Sequence, residues 1–163
     1  MSGVDVRRAG VADIEPALAV WRSASTARRD GVPASVEREA QVWRAIQQPS
    51  AFLLVADDVG QVVGMGLAMQ TRSDDGAGPP VPGDCFISLI YIAPDRWGEG
   101  LGGKVVDAVL AEARSQGYRR VQLWTQADNV RAQRLYESRG FNRSGREAID
   151  PHGGVIVQYV RLL

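Results

Sequence analysis

At 163 residues, with 45% hydrophobic and 23% charged side chains, the chain has the size and composition of one globular domain able to bury a core without disulfides or a structural metal. Lys plus Arg and Asp plus Glu number 19 each, so there is no net basic field to hold nucleic acid or an anionic membrane surface. A single cysteine, Cys85, and a single histidine, His152, exclude an intramolecular disulfide, multi-cysteine metal motifs and metal sites needing two histidines, and no metal is expected.

Val4 to Arg8 reads as a short strand, and Asp13 opens a helical pattern in which Ile14, Leu18 and Trp21 recur at spacings of four and three. Nothing from Met1 to Gly10 reads as a signal peptide, because Asp5, Arg7 and Arg8 interrupt it and no apolar run follows. No apolar stretch approaches the ~20 residues that cross a bilayer. A cytoplasmic location with no membrane partner is the expectation.

Asp30, Gly31 and Pro33 break the first helix, and Ser35 caps a second one carrying Val36, Ala40, Trp43, Ala45 and Ile46, which stops before Pro49. Phe52 to Ala56 and Val62 to Met69, joined through Gly60, form an antiparallel hairpin. Thr71 to Gly83 holds three glycines and Pro79, Pro80 and Pro82, and is expected to be a loop without regular structure. Cys85 to Ile92 is a central strand, Leu101 to Gln116 a helix closed by Gly117, and Val121 to Thr125 a strand parallel to the first through this crossover. Asp128-Asn129 starts a last helix containing Ala132, Leu135 and Tyr136 and ending at Gly140. Strands at about 141–149 and 155–161 finish the chain.

The chemistry concentrates in Ala93 to Gly103, a glycine-rich turn between a strand and a helix. Its glycines allow the backbone to approach a ligand, and the first-turn amides of the helix aim unsatisfied donors and a positive dipole end at the same place. That combination suits a pyrophosphate. Gly98, Gly100 and Gly103 also satisfy G-x-G-x-x-G, the fingerprint of a dinucleotide-binding oxidoreductase, with Asp128 available for the ribose. Against a Rossmann-like reading, the motif lies in the second half of the chain, after an antiparallel meander.

The stretch Trp97-Gly98-Glu99-Gly100-Leu101-Gly102 resembles the acetyl-CoA loop Gln/Arg-x-x-Gly-x-Gly/Ala of the GNAT superfamily of N-acetyltransferases. Leu89 to Pro94 stands in the place of that family's central strand, and Asn129-x-x-Ala132-x-x-x-Tyr136-x-x-x-Gly140-Phe141 fits its second signature. The likeness covers about residues 52 to 161. It implies an α/β (α+β) fold as one domain over 1–163: a mixed, mostly antiparallel sheet of about seven strands with a parallel pair at the acetyl-CoA site, flanked by about four helices. One departure stands out: Trp97 occupies the Gln/Arg position.

What the resemblance implies for the site follows residue by residue. Acetyl-CoA is the cosubstrate, its phosphates on Trp97, Gly98, Glu99, Gly100, Leu101, Gly102 and Gly103. Its pantetheine arm pairs with the backbone of Ile90, Tyr91 and Ile92, and Asn129 and Ala132 lie near the thioester. Tyr136 is the candidate general acid, since a phenol can protonate a departing thiolate; the other reading is an aromatic that only packs, just as Asn129 can be a helix cap alone. No carboxylate stands on the central strand for a base, which leaves Asp84 just before it, or water. Cys85 is read as a buried hydrophobe and His152 as a turn residue. Trp21, Trp43 and Trp124 are core or pocket wall, and Trp21 with Arg28-Arg29 lies where the family builds its acceptor site. The acceptor is a small-molecule or peptide amine, and Asp74, Asp75 and Asp84 raise the expectation that it is cationic. A homodimer is left open, as is a non-catalytic acyl-CoA sensor.

Overall fold

The computed structural model describes residues 3–163. Seven strands, β1 (Val4–Arg8), β2 (Phe52–Asp58), β3 (Gln61–Arg72), β4 (Pro80–Ile92), β5 (Arg120–Gln126), β6 (Asn142–Ile149) and β7 (Val155–Leu162), are joined with four helices, α1 (Ile14–Arg28), α2 (Val36–Ile46), α3 (Leu101–Ser115) and α4 (Val130–Ser138), in the order β1-α1-α2-β2-β3-β4-α3-β5-α4-β6-β7. The sheet order is β1-β2-β3-β4-β5-β7-β6. Of these, β4 and β5 run parallel, whereas β1·β2, β2·β3, β5·β7 and β6·β7 are antiparallel. This is the mixed, mostly antiparallel sheet that the resemblance implies, and not the parallel sheet of a Rossmann domain.

The described chain divides into two compact units, one running up to Met69 and including Leu89–Val109, the other comprising Gln70–Ser88 and Leu110–Leu163. In the first, Ala17, Leu18 and Trp21 of α1 and Val42 of α2 pack on Val55, Met65, Leu67 and Leu89. Met65 and Leu67 face this cluster, so the intervening positions of β3 face the other way. Those positions are Gly64 and Gly66, and a β-carbon at Gly66 would sit 2.8 Å from Val105 Cγ1 of α3. Helix α2 covers only part of its apolar residues. Ser35 caps it as anticipated, accepting from the Arg38 amide at 3.1 Å, but Val42 (1% exposed), Ala45 and Ile46 make the inward face. Val36 (84%) and Trp43 (42%) are exposed, so Trp43 is not part of the core.

In the second unit only the middle of the expected irregular loop lies outside the strands. Strand β3 continues to Arg72 and β4 begins at Pro80, leaving a tight connection in which Ser73 N donates to Pro79 O (2.9 Å) and Gly78 N to Ser73 O (2.8 Å). Prolines are admissible at the start of a strand because no ladder donor is lost there. The parallel register runs from Asp84↔Arg120 to Ile87↔Leu123. Alternation then divides the strands into two faces. Cys85, Ile87, Val121, Leu123, Val157 and Tyr159 make the buried apolar face, while Asp84, Gln122, Trp124 and Gln158 share the opposite one. Every residue of β6 is exposed.

Candidate functional site

After Ile92 the chain passes through a 3₁₀ turn, Pro94–Arg96, into the glycine segment. Gly98 (φ +87°) and Gly100 (φ +78°) hold left-handed backbone that a side chain would strain. Lys104 N makes the first helical bond, to Gly100 O at 3.4 Å, so the amides of Leu101, Gly102 and Gly103 belong to the first turn of α3, where no intrahelical acceptor is available. A β-carbon built at Gly100 meets nothing within 4 Å. The turn is thus an open cradle of backbone donors, of the kind that fits a pyrophosphate. Gly98, Glu99 and Gly100 are exposed, whereas the Leu101 side chain is buried and can contribute only its amide.

Two side chains brace this turn. Trp97 Nε1 donates to Ile92 O at 2.8 Å, tying the turn to the end of β4. Arg96 donates from Nε to Glu99 (2.9 Å) and from Nη1 to Asp58 of β2 (2.8 Å), and these two carboxylates raise its pKa further. Glu99 beside the cradle therefore shares one fixed cation with Asp58. The side chains of Ile90 and Ile92 point at Gly66 and Gly64, and Tyr91 packs against the α1 cluster. All three side chains are partly buried, and the Ile92 carbonyl is already engaged by Trp97.

In the second unit, Asn129 Oδ1 accepts from Ala132 N at 3.1 Å and so caps α4. Ala132 and Tyr136, four residues apart, lie on one face of that helix. Tyr136 is buried, its ring meeting Phe141 edge-on at 5.7 Å and Tyr159 at 6.3 Å. Tyr159 in turn donates its hydroxyl to Glu137 Oε2 at 2.7 Å, and burial, followed by that bond, pushes its pKa up. This clamp of α4 onto β7 was not foreseen, because no spacing rule links positions 22 apart.

On the opposite face, buried Asp84 accepts from Thr71 Oγ1 (2.9 Å), Gln122 Nε2 (3.1 Å) and Arg120 Nη1. Both carboxylate oxygens are engaged, so Asp84 is a structural ion pair and not an open base. Asp75 is exposed and lies 3.5 Å from Arg146, a loose surface pair. Trp124, anticipated as core or wall, is half-buried beneath the Arg146 guanidinium, 5.4 Å from its ring centroid. Cys85 is buried, and His152 is an exposed turn residue. Among the described residues no group of three or more His, Cys, Asp and Glu side chains is placed to hold a metal ion, and no helix is long and apolar enough to cross a membrane.

Comparison with known proteins agrees with this architecture. The chain is 34% identical over 106 residues to the mycothiol acetyltransferase of Geodermatophilus obscurus, a match covering 65% of this chain and 32% of that protein. It thus spans about a third of the length of that relative. It is 28% identical over 145 residues to the L-methionine sulfoximine/L-methionine sulfone acetyltransferase of Pseudomonas aeruginosa, covering 86% and 81% of the two chains. Among solved structures, the ribosomal-protein-alanine N-acetyltransferase of Brucella melitensis superposes with a TM-score of 0.76 at 23% identity, over 98% of this chain and 99% of that one. YncA of Salmonella typhimurium, solved with its cofactor acetyl-CoA, gives 0.76 at 22% over 99% and 95%. At these identities the two structures speak for the fold. Residues 17–141, from the core of α1 through the glycine cradle to the end of α4, match the family described as "Acetyltransferase (GNAT) family", and the chain belongs to that family.

Proposed function

We propose that the chain is an acetyl-CoA-dependent N-acetyltransferase acting by direct transfer to a primary amine. The observation that carries this reading is the open cradle at the start of α3, where Gly100 leaves room for phosphate beside first-turn amides that have no acceptor within the helix. Acetyl-CoA supplies the acyl group as a thioester. The backbone of Leu101, Gly102 and Gly103 holds the pyrophosphate, and backbone groups of Ile90 and Tyr91 orient the pantetheine arm. Tyr136 donates its phenolic proton to the sulfur as the amine nitrogen bonds to the acyl carbon and the carbon–sulfur bond breaks. Water takes the ammonium proton, since Asp84 is committed to Arg120, Thr71 and Gln122.

Titration with acetyl-CoA and with NAD, together with thiol release in the presence of an amine panel, tests the proposal. Saturable binding of acetyl-CoA alone and amine-dependent thiol release are expected. Gly100→Glu, which puts a side chain and a negative charge into the cradle, should abolish binding without unfolding the protein. Binding without thiol release from any amine would leave an acyl-CoA sensor, and normal affinity in a folded Gly100→Glu variant would move the phosphate site elsewhere.

A further inference from the structure

Strand β6 is irregular at one place, and that place carries an arginine. Arg143 pairs with Tyr159 of β7 and Glu147 with Val157, so Ser144, Gly145 and Arg146 together stand opposite Gln158 alone. Such bulges bend a strand and re-aim its side chains. Here the bulge is fixed from both sides. Gly145 has φ +93°, Ser144 Oγ donates to Gln158 Oε1 at 2.7 Å, and the Arg146 amide donates to Ser144 Oγ at 3.1 Å. Gln158, 2% exposed, passes the chain of bonds to Gln122 (2.7 Å), and Gln122 passes it to Asp84. A hydrogen-bonded row across β4, β5, β7 and β6 therefore sets where Arg146 stands.

Arg146 reaches back across β7 and lays its guanidinium over the Trp124 ring of β5. At 5.4 Å from the ring centroid this is a cation–π contact, which uses no N–H donor and leaves the guanidinium able to meet a planar, bidentate acceptor. The acid now nearest the guanidinium is a poor match. Asp75 lies on the connection between β3 and β4, is 81% exposed, and stands 3.5 Å from Nη2, well beyond the length of a charge-assisted hydrogen bond. An exposed pair of this kind gives way readily. The other arginines described on β5 and β6 have firmer commitments: Arg120 to buried Asp84, and Arg143 to Gln133 at 3.2 Å.

The face matters as well. Tyr136 packs on Tyr159, which pairs with Leu123 on the apolar side of the sheet, whereas Trp124 and Gln158 lie on the reverse side. Acid and arginine are thus on opposite faces, as they would be if the thiol left on one side and the acceptor arrived on the other. We infer that the amine acceptor also carries a carboxylate, received by Arg146 on its Trp124 platform, so that the substrate class is amino acids and amino-acid-like compounds. The inference rests on the transferase reading and names the acceptor for it.

The test compares acceptors that differ only in the carboxylate: leucine with leucinamide, phenylalanine with phenylalaninamide, and 4-aminobutyrate with 4-aminobutanamide. The readout is the acid-to-amide ratio of kcat/KM in wild type and in Arg146→Gln, in which the intrinsic reactivities of the amines cancel. For at least one pair the ratio should fall roughly tenfold or more in Arg146→Gln, the scale of a lost charged hydrogen bond, while acetyl-CoA affinity and Tm stay unchanged. Asp75→Asn, which removes the competing acid, should raise the same ratio. An unaltered ratio for every pair in Arg146→Gln, or a fall in Asp75→Asn, overturns the inference and leaves the transferase reading intact. Absence of thiol release with every acceptor would sink both.

Discussion

At the scale of single residues, the question for Tyr136 is whether its hydroxyl or its ring does the work. The ring is buried between Phe141 and Tyr159 and contributes packing whatever the chemistry. Phenylalanine and alanine at this one position separate the two. Tyr136→Phe removes a hydroxyl and keeps the packing; if the phenol protonates the thiolate, kcat should drop 10²- to 10⁴-fold, equivalent to roughly 3 to 5 kcal/mol of barrier, with Tm and acetyl-CoA affinity held. Tyr136→Ala should lose Tm and rate together, by the cost of a cavity in the aromatic cluster. A Phe variant with undiminished kcat, measured where chemistry limits turnover, would assign the proton to water. Trp97 teaches a related point. It lacks the polar side chain that the resemblance leads one to expect, yet its indole N–H fastens the same turn to Ile92, so the departure changes how the cradle is braced and leaves its backbone donors in place.

Among elements, the contact of β3 with α3 is set by the absence of side chains. Gly66 lets Val105 and Val109 of α3 and Ile90 of β4 close on the strand, with Val105 Cγ1 at 2.8 Å from the missing β-carbon and the other two at 3.2 Å. Gly66→Ala should therefore destabilise by overpacking, by about 1 to 3 kcal/mol, read as a lowered Tm. Val105→Ala costs stability alone but should recover part of the loss in the double variant, because the two sites share one clash. Equal Tm for Gly66→Ala and wild type would mean that α3 can shift without cost. The sequence announces the glycines without announcing what approaches them. In the same way Ser35 marks α2 as a helix without saying which side faces inward, since Val36 and Trp43 are as apolar as Val42 and only neighbours decide which is covered. Proline and glycine between Thr71 and Gly83 also read as a long loop, where the residues frame two strands and a tight turn.

Across the whole molecule, ion pairs join segments that the chain itself leaves apart. Arg7 of β1 binds Asp13 at 2.7 Å, ahead of α1, and Asp57 of β2 at 3.0 Å. The Arg7 bonds, with help from the Gly10 amide, hold the Asp13 carboxyl at about 2 against an ordinary value of 3.8. A carboxyl depressed in the folded state stabilises above its unfolded pKa and loses that contribution as pH falls through the folded one. The gap in Tm between wild type and Asp13→Asn should therefore be full above about pH 4 and close as the pH falls to about 2. A gap that does not change between pH 5 and pH 2 would show that Asp13 acts by its shape and hydrogen bonds alone.

The sequence by itself determined the order of the elements, the parallel crossover of β4 and β5, the glycine cradle, and the family to which they point. These are local properties: periodicity, caps and a run of glycines act within a turn or two of the chain. Only the tertiary structure decided that Asp84 is consumed by Arg120, 36 residues away, and that Arg146 lies on Trp124 within reach of Asp75, 71 residues away. The partners of a charged side chain are set by which strands become neighbours, and neither composition nor spacing encodes that pairing.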